Sequence, residues 1–194
     1  MKRSLGAKTA AYPTPVFIVG TYDKQGKPNV MAVAWGGICC SDPPCVAVSV
    51  REATYTYGNL VERKAFTVSI PSVDHVEAAD YFGIASGRDA DKLAVAGLTA
   101  VRSELVDAPY VEEFPVVLEC KVVQVHELGL HTQFVGEIVD VKAEEVCLDD
   151  KGRPSVALVR PFSWAPLDNH YFALGRAVGK GFNTGRCLRD KNDQ

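Results

Sequence analysis

Three polar stretches, far apart in the chain, carry residue types that suit a phosphate. One runs from a strand into a helix as Ser49-Val50-Arg51-x-x-Thr54-Tyr55-Thr56-x-x-Asn59. Another is Ser86-Gly87-Arg88-x-x-Asp91-Lys92. The third is the return strand of an early hairpin, Pro28-Asn29-Val30-Met31-Ala32-Val33-Ala34-Trp35. The first turn of a helix has unpaired N–H groups and a positive dipole end, so hydroxyls and cations beside it suit a dianion. Glycine at position 87, next to a hydroxyl and a cation, lets backbone approach phosphate oxygens closely. This chemistry points to a bound nucleotide without saying which one.

Plainer roles compete for the same residues. Capping alone accounts for Thr54, Thr56 and Asn59 at a helix start, but it does not require Arg51. Ser86, Gly87 and Lys92 also suit a surface loop. Asn29 suits a turn, and Trp35 suits a core. Six residues apart on one strand, Asn29 and Trp35 lie on the same face, which supports a shared ligand side.

The elements that must position these residues are mostly strands. Val16–Tyr22 is β-rich, Asp23–Lys27 is a turn, and Asn29–Trp35 returns as the second strand of a hairpin. Ser41–Pro44 reads as a loop and Val46–Val50 as a buried strand. Thr56 is expected to cap a helix over residues 57–64, and Ala65–Ile70 alternates as a strand that stops at Pro71. Asp74-x-x-Glu77 resembles a capping box for a helix ending near Gly83. Ser86 or Asp89 is expected to start another short helix, closed by Gly97. Val116–Glu127 and Gln133–Ala143 form a longer hairpin around Gly129, as in barrels where strands bend around a core. Pro161, Pro166 and four glycines make the tail loop-like. Strands do not alternate with long helices, and no Gly-x-Gly-x-x-Gly follows a strand, so a doubly wound dinucleotide fold is disfavoured. The expected class is mainly β: a closed or split antiparallel barrel, Greek key in order, with short helices.

Bulk properties agree with one such domain. The chain has 194 residues, 47% of them hydrophobic and 23% charged, with a net charge of −3 and no basic block. One domain with a sizeable core fits that length. Nucleic-acid binding, which rests on Lys and Arg clusters, is disfavoured. No apolar run approaches the roughly 18 residues of a spanning helix, and no apolar segment follows the cationic N-terminus, so a cytoplasmic protein without secretory signal is expected. The six cysteines match no metal or iron–sulfur spacing and are expected to be reduced. His126 and His131 flank a tight turn without a third ligand, so no metal site is expected.

The order and spacing of these motifs resemble the flavin reductase-like family of FMN-binding split barrels. The resemblance covers roughly residues 10–175, leaving 176–194 as an extension of a single domain. It rests on the Asn29–Trp35 strand, Ser49-Val50-Arg51 with Thr54 and Thr56, and Asn59-Leu60. It also rests on Phe66-x-Val68-Ser69-x-Pro71, Ser86-Gly87-Arg88-x-x-Asp91-Lys92, and Gly129-x-His131 with Gly136-Glu137. The resemblance implies FMN bound without a covalent link at a homodimer interface. It implies Asn29, Met31 and Trp35 beside the isoalloxazine ring. Arg51, Thr56, Ser86, Gly87 and Lys92 would serve the phosphate or ribityl end, with Thr54 and Asn59 supporting that turn. His131 would lie near the ring, and Trp164 and Tyr171 would close the pocket. A carboxamide such as that of Asn29 can pair with the donor–acceptor edge of a flavin.

The reading favoured by this pattern is an FMN-dependent electron-transfer protein. It would be reduced by NAD(P)H or a protein donor and would pass electrons to a protein, a flavin or ferric iron. Two others stay open. The same barrel could hold a ligand without turnover, as a sensor or store. A thiol-redox protein using Cys39, Cys40 or Cys45 would need exposed thiols of lowered pKa.

Overall fold

The computed structural model describes residues 1–189, built around a seven-stranded antiparallel sheet. In chain order the strands are β1 (Thr14–Pro15), β2 (Phe17–Tyr22), β3 (Pro28–Val33), β4 (Gly36–Ser41), β5 (Pro44–Arg51) and β6 (Ala65–Ile70). They continue with β7 (Ala100–Arg102), β8 (Pro109–Val111), β9 (Val116–Leu128), β10 (His131–Ala143), β11 (Phe162–Ala165) and β12 (His170–Ala173). The helices are α1 (Tyr55–Arg63), α2 (Val76–Ile84), α3 (Lys92–Ala96), α4 (Val156–Val159) and α5 (Arg186–Arg189).

The main sheet runs β3-β2-β6-β9-β10-β5-β4. Its two edge strands, β3 and β4, are joined by only Ala34 and Trp35, so the sheet must curl back on itself. At that corner the Ser49 amide of β5 donates to the Trp35 carbonyl at 2.8 Å. No ladder joins β3 to β5, and this gap is the split. The chain crosses from β5 to β6 over α1, and β9 and β10 return between them, giving the Greek-key order. The expected split antiparallel barrel is the observed class.

Period-two alternation decides what each strand buries. Val46, Val48 and Val50 of β5 point into the barrel against Phe66, Val68 and Phe134. Each is fully buried, a gain of roughly 1.5–3 kcal/mol per side chain. On β2, Val19 joins that core, while its neighbour Ile18 faces a second one under Phe82 of α2 and Leu93 of α3. The helices thus cover the outside of β2 and β3 near the split.

Several local expectations are corrected. The return strand stops at Val33, so Trp35 is in the bend before β4 and not on one strand with Asn29. Gly36–Ser41 forms an edge strand that low β-propensity concealed. Thr54, not Thr56, caps α1: its Oγ1 accepts from the Tyr57 amide at 3.3 Å. Asp74 makes no capping box, because its carboxylate is taken by Arg160 at 2.7 and 3.1 Å. Asp91 caps α3, two residues after Asp89 and five after Ser86, with Gly97 closing it in the left-handed region as expected. Residues 176–189 of the expected extension are described, and the remainder of it lies outside the described residues. Among the described residues, no helix is long and apolar enough to cross a membrane.

Candidate functional site

A cleft of about 690 Å³ opens along the split. One wall is β3 and the bend after it, with Asn29, Met31 and Trp35. The facing wall is the end of β5 and the start of α1, with Arg51, Thr54 and Thr56. The loop after α2 contributes Ser86 and Gly87, and α3 contributes Lys92. His131 enters from the start of β10, directly opposite Arg51 in the β5–β10 register. Trp164 of β11 reaches the cleft and meets Trp35 edge-on, with ring centroids 6.0 Å apart. All the expected site residues therefore line one cleft, except Asn59 and Tyr171.

Those two lie beside it. Asn59 is buried behind the wall, where its Nδ2 donates to Thr21 Oγ1 at 3.1 Å. Thr21 stands opposite Asn29 on β2, and Asn29 Nδ2 lies 3.5 Å from the same hydroxyl. Asn29 Nδ2 also donates to Thr56 Oγ1 at 3.0 Å. This polar knot at the barrel end fixes the Asn29 carboxamide with its nitrogen inward. Among the described residues its Oδ1 is buried without a hydrogen-bond partner, a costly arrangement for a polar atom unless a ligand donor completes it. Tyr171 lines a neighbouring cavity that shares Trp164 with the cleft. Its hydroxyl donates to Asp80 at 2.9 Å, and burial, aided by that carboxylate, pushes the phenol up to about 12.

The charge balance of the lining is distinctive in a chain of net charge −3. Arg51, Arg88 and Lys92 line the space beside the His131 imidazole, against one carboxylate among the described residues, Asp89. Lys92 is 5% exposed, and its Nζ donates to the Phe82 and Ala85 carbonyls at 3.3 and 3.1 Å, at the C-terminal end of α2. Burial pulls its amine down to about 8.

Two residues gain roles that the motif reading did not give them. Arg88 donates from Nη1 to the Ala53 carbonyl at 2.9 Å and lies 5.4 Å over the Tyr55 ring. It ties the loop after α2 to the turn before α1. Both residues stand inside the quoted motifs, but no spacing rule marks an arginine that stacks on a tyrosine 33 positions away. By contrast, Cys39, Cys40 and Cys45 line no part of the cleft. Cys39 and Cys40 are exposed on β4, and burial raises the Cys45 thiol.

Residues 9–158 match the family model described as "Flavin reductase like domain". The chain belongs to the flavin reductase-like family. Among solved structures it is similar to the flavoredoxin of Desulfovibrio vulgaris (Miyazaki F), with 56% identity, 95% of this chain and 100% of that one covered, and a TM-score of 0.92. It is also similar to a flavoredoxin from Methanosarcina acetivorans, with 32% identity, 97% and 98% covered, and a TM-score of 0.88. An FMN-binding protein from Thermus thermophilus, solved with bound 1-cyclohex-2-enone, matches at 25% identity, 93% and 97% covered, and a TM-score of 0.78.

Proposed function

We propose that the cleft binds FMN and that the protein is an electron-transfer flavoprotein. The observation that carries this reading is the orphaned, buried Asn29 Oδ1 in the wall of a cation-lined cleft. It offers an acceptor to the N–H edge of a flavin, while Arg51, Arg88 and Lys92 offer charge to a phosphate. Trp35, Met31 and Trp164 give the ring an apolar wall, and His131 adds a donor or a positive charge. When bound, FMN supplies the redox chemistry, and the chain supplies binding, orientation and charge. The flavoredoxins and the FMN-binding protein among the similar structures support the same cofactor class.

The reading extends to a cytoplasmic homodimer whose single domain spans residues 1–194. The outer half of β9 supports self-association: its pairing with β6 ends at Lys121, beyond which Val125 and Leu128 are 51% and 57% exposed. Unpaired cysteines suit a reducing compartment. Electrons arrive from NAD(P)H or a protein donor and leave to a protein, flavin or ferric acceptor.

Anaerobic rapid mixing of the FMN-loaded protein with NADH, NADPH and a reduced protein donor tests the reading. Prompt bleaching by a nicotinamide assigns a reductase, and bleaching by the protein donor alone assigns a carrier. Failure of every donor to bleach the bound flavin contradicts electron transfer.

A further inference from the structure

Asp23, in the turn between β2 and β3, does more than close a hairpin. Its Oδ1 accepts from the Gln25 and Lys27 amides at 2.9 and 2.8 Å, which fixes the turn. Its Oδ2 accepts from the Tyr55 hydroxyl at 2.7 Å. These donors hold the Asp23 carboxyl below its usual range against the opposing effect of burial, and the carboxylate raises the Tyr55 phenol. Arg63, at the far end of α1, donates from Nε to the Asp23 carbonyl at 3.1 Å and through Nη2 to the same oxygen. The first and last residues of α1 are thus tied to one residue, the buried Asp23 of an otherwise exposed turn.

Tyr55 is the first residue of α1, and its ring is the floor of the loop after α2. A Cβ on Gly87 would lie 2.8 Å from Tyr55 Cδ1, so the Gly87 backbone rests directly on the ring. Arg88 stacks over the same ring and donates to Ala53, while the Ser86 hydroxyl accepts from the Arg88 amide at 3.2 Å. Among the described residues, no other hydrogen bond ties this loop to the opposite wall of the cleft.

We propose that Asp23 and Tyr55 are positioning residues that set selectivity for a phosphorylated flavin over riboflavin, by holding the Ser86–Arg88 loop against the Arg51–Thr54 turn. The inference rests on the FMN reading above. Asp23 fixes the tilt of the Tyr55 ring, the ring fixes Gly87 and the Arg88 guanidinium, and these set where the phosphate is gripped. The opposite end of the cleft is walled by Trp35, in the bend after β3, and by Trp164 of β11, which pack against each other.

Equilibrium titrations of the full-length apo protein with FMN and with riboflavin test it, on wild type, Tyr55→Leu, Tyr55→Phe and Asp23→Asn. Tyr55→Leu is expected to lose about tenfold or more in FMN affinity while riboflavin changes less than about twofold. Tyr55→Phe keeps the ring and loses the hydrogen bond, so it and Asp23→Asn should lose FMN affinity by smaller factors, with riboflavin again changing less than FMN. A ligand-free readout accompanies this: tryptic cleavage after Arg88, identified by mass, quickens in Tyr55→Leu and Asp23→Asn relative to wild type. Equal loss for both flavins, or unchanged FMN binding with unchanged cleavage at Arg88, overturns the proposal. Wild-type protein that binds FMN no better than riboflavin overturns it too, while leaving a flavin site intact. Wild type that binds neither flavin overturns the FMN reading itself and this inference with it.

Discussion

Gly87 and Asn29 touch so closely that a Cβ on Gly87 would fall 2.1 Å from Asn29 Oδ1. The loop after α2 and the wall strand β3 therefore meet at the one cleft acceptor that is buried without a partner among the described residues. Any side chain at position 87 must push the carboxamide or the loop aside.

Gly87→Ala is expected to weaken FMN binding by about ten- to hundredfold, because overpacking of this kind displaces both the acceptor and the phosphate loop. Flavin fluorescence quenching measures the change, and circular dichroism checks that the fold is kept. Wild-type affinity in a folded Gly87→Ala protein would contradict the close approach.

Trp35→Ala removes the aromatic wall at the other end of the cleft and its edge-on contact with Trp164. The expected loss is about tenfold for FMN and for riboflavin alike, since the ring and not the phosphate loses its neighbour. Parallel titrations with the two ligands read this out. A loss confined to FMN would place Trp35 at the wrong end.

The pH dependence of binding reports on Lys92. Its amine is held at about 8 by burial, so it is charged below that pH and neutral above. A phosphate monoester, with its second pKa near about 6, is already dianionic there. FMN affinity is expected to fall as pH rises through 8, by up to about tenfold per unit, and binding near pH 8 should take up protons. The apo protein behaves oppositely. Between about 8 and the usual 10.5 the unfolded chain holds more protons than the folded one, so apo stability rises with pH in that window. Isothermal titration in buffers of different ionisation enthalpy measures the uptake, and Lys92→Met should abolish it.

How much of this was legible in the sequence varies by element. The β6 strand matched its expected bounds, Ala65–Ile70, because its β-rich sequence and the terminating Pro71 are local signals. The β9–β10 hairpin was legible from Gly129 between two long β-rich runs. The edge strand β4 was not, since Gly36-Gly37 and two cysteines carry little strand propensity and its pairing depends on the β5 partner. The capping box at Asp74 failed because Arg160, distant along the chain, takes the carboxylate. The site followed the same logic. Motifs named the walls, but only the folded contacts separate Asn59, which braces Thr21 behind the wall, from Asn29, which faces the cleft.

Outside the cleft, Glu119 of β9 is fully buried and held by Lys142 of β10, whose other partner is Asp140 at 3.1 Å. Lys142→Met strips the buried carboxylate of its cation. A stability loss of about 2–3 kcal/mol is expected, reduced from that of a wholly buried pair because solvent reaches Lys142. The double variant Glu119→Gln with Lys142→Met should recover part of it. Chemical denaturation of the three proteins measures both steps, and no recovery in the double variant would contradict the pairing.

The central claim is that residues scattered along the chain converge on one cleft that holds FMN. The most direct measurement is the visible absorption spectrum of the purified protein, followed by heat release and mass identification of the chromophore. The account predicts a yellow protein that releases FMN, or a colourless one that takes up added FMN stoichiometrically. A colourless protein that takes up no FMN would contradict it.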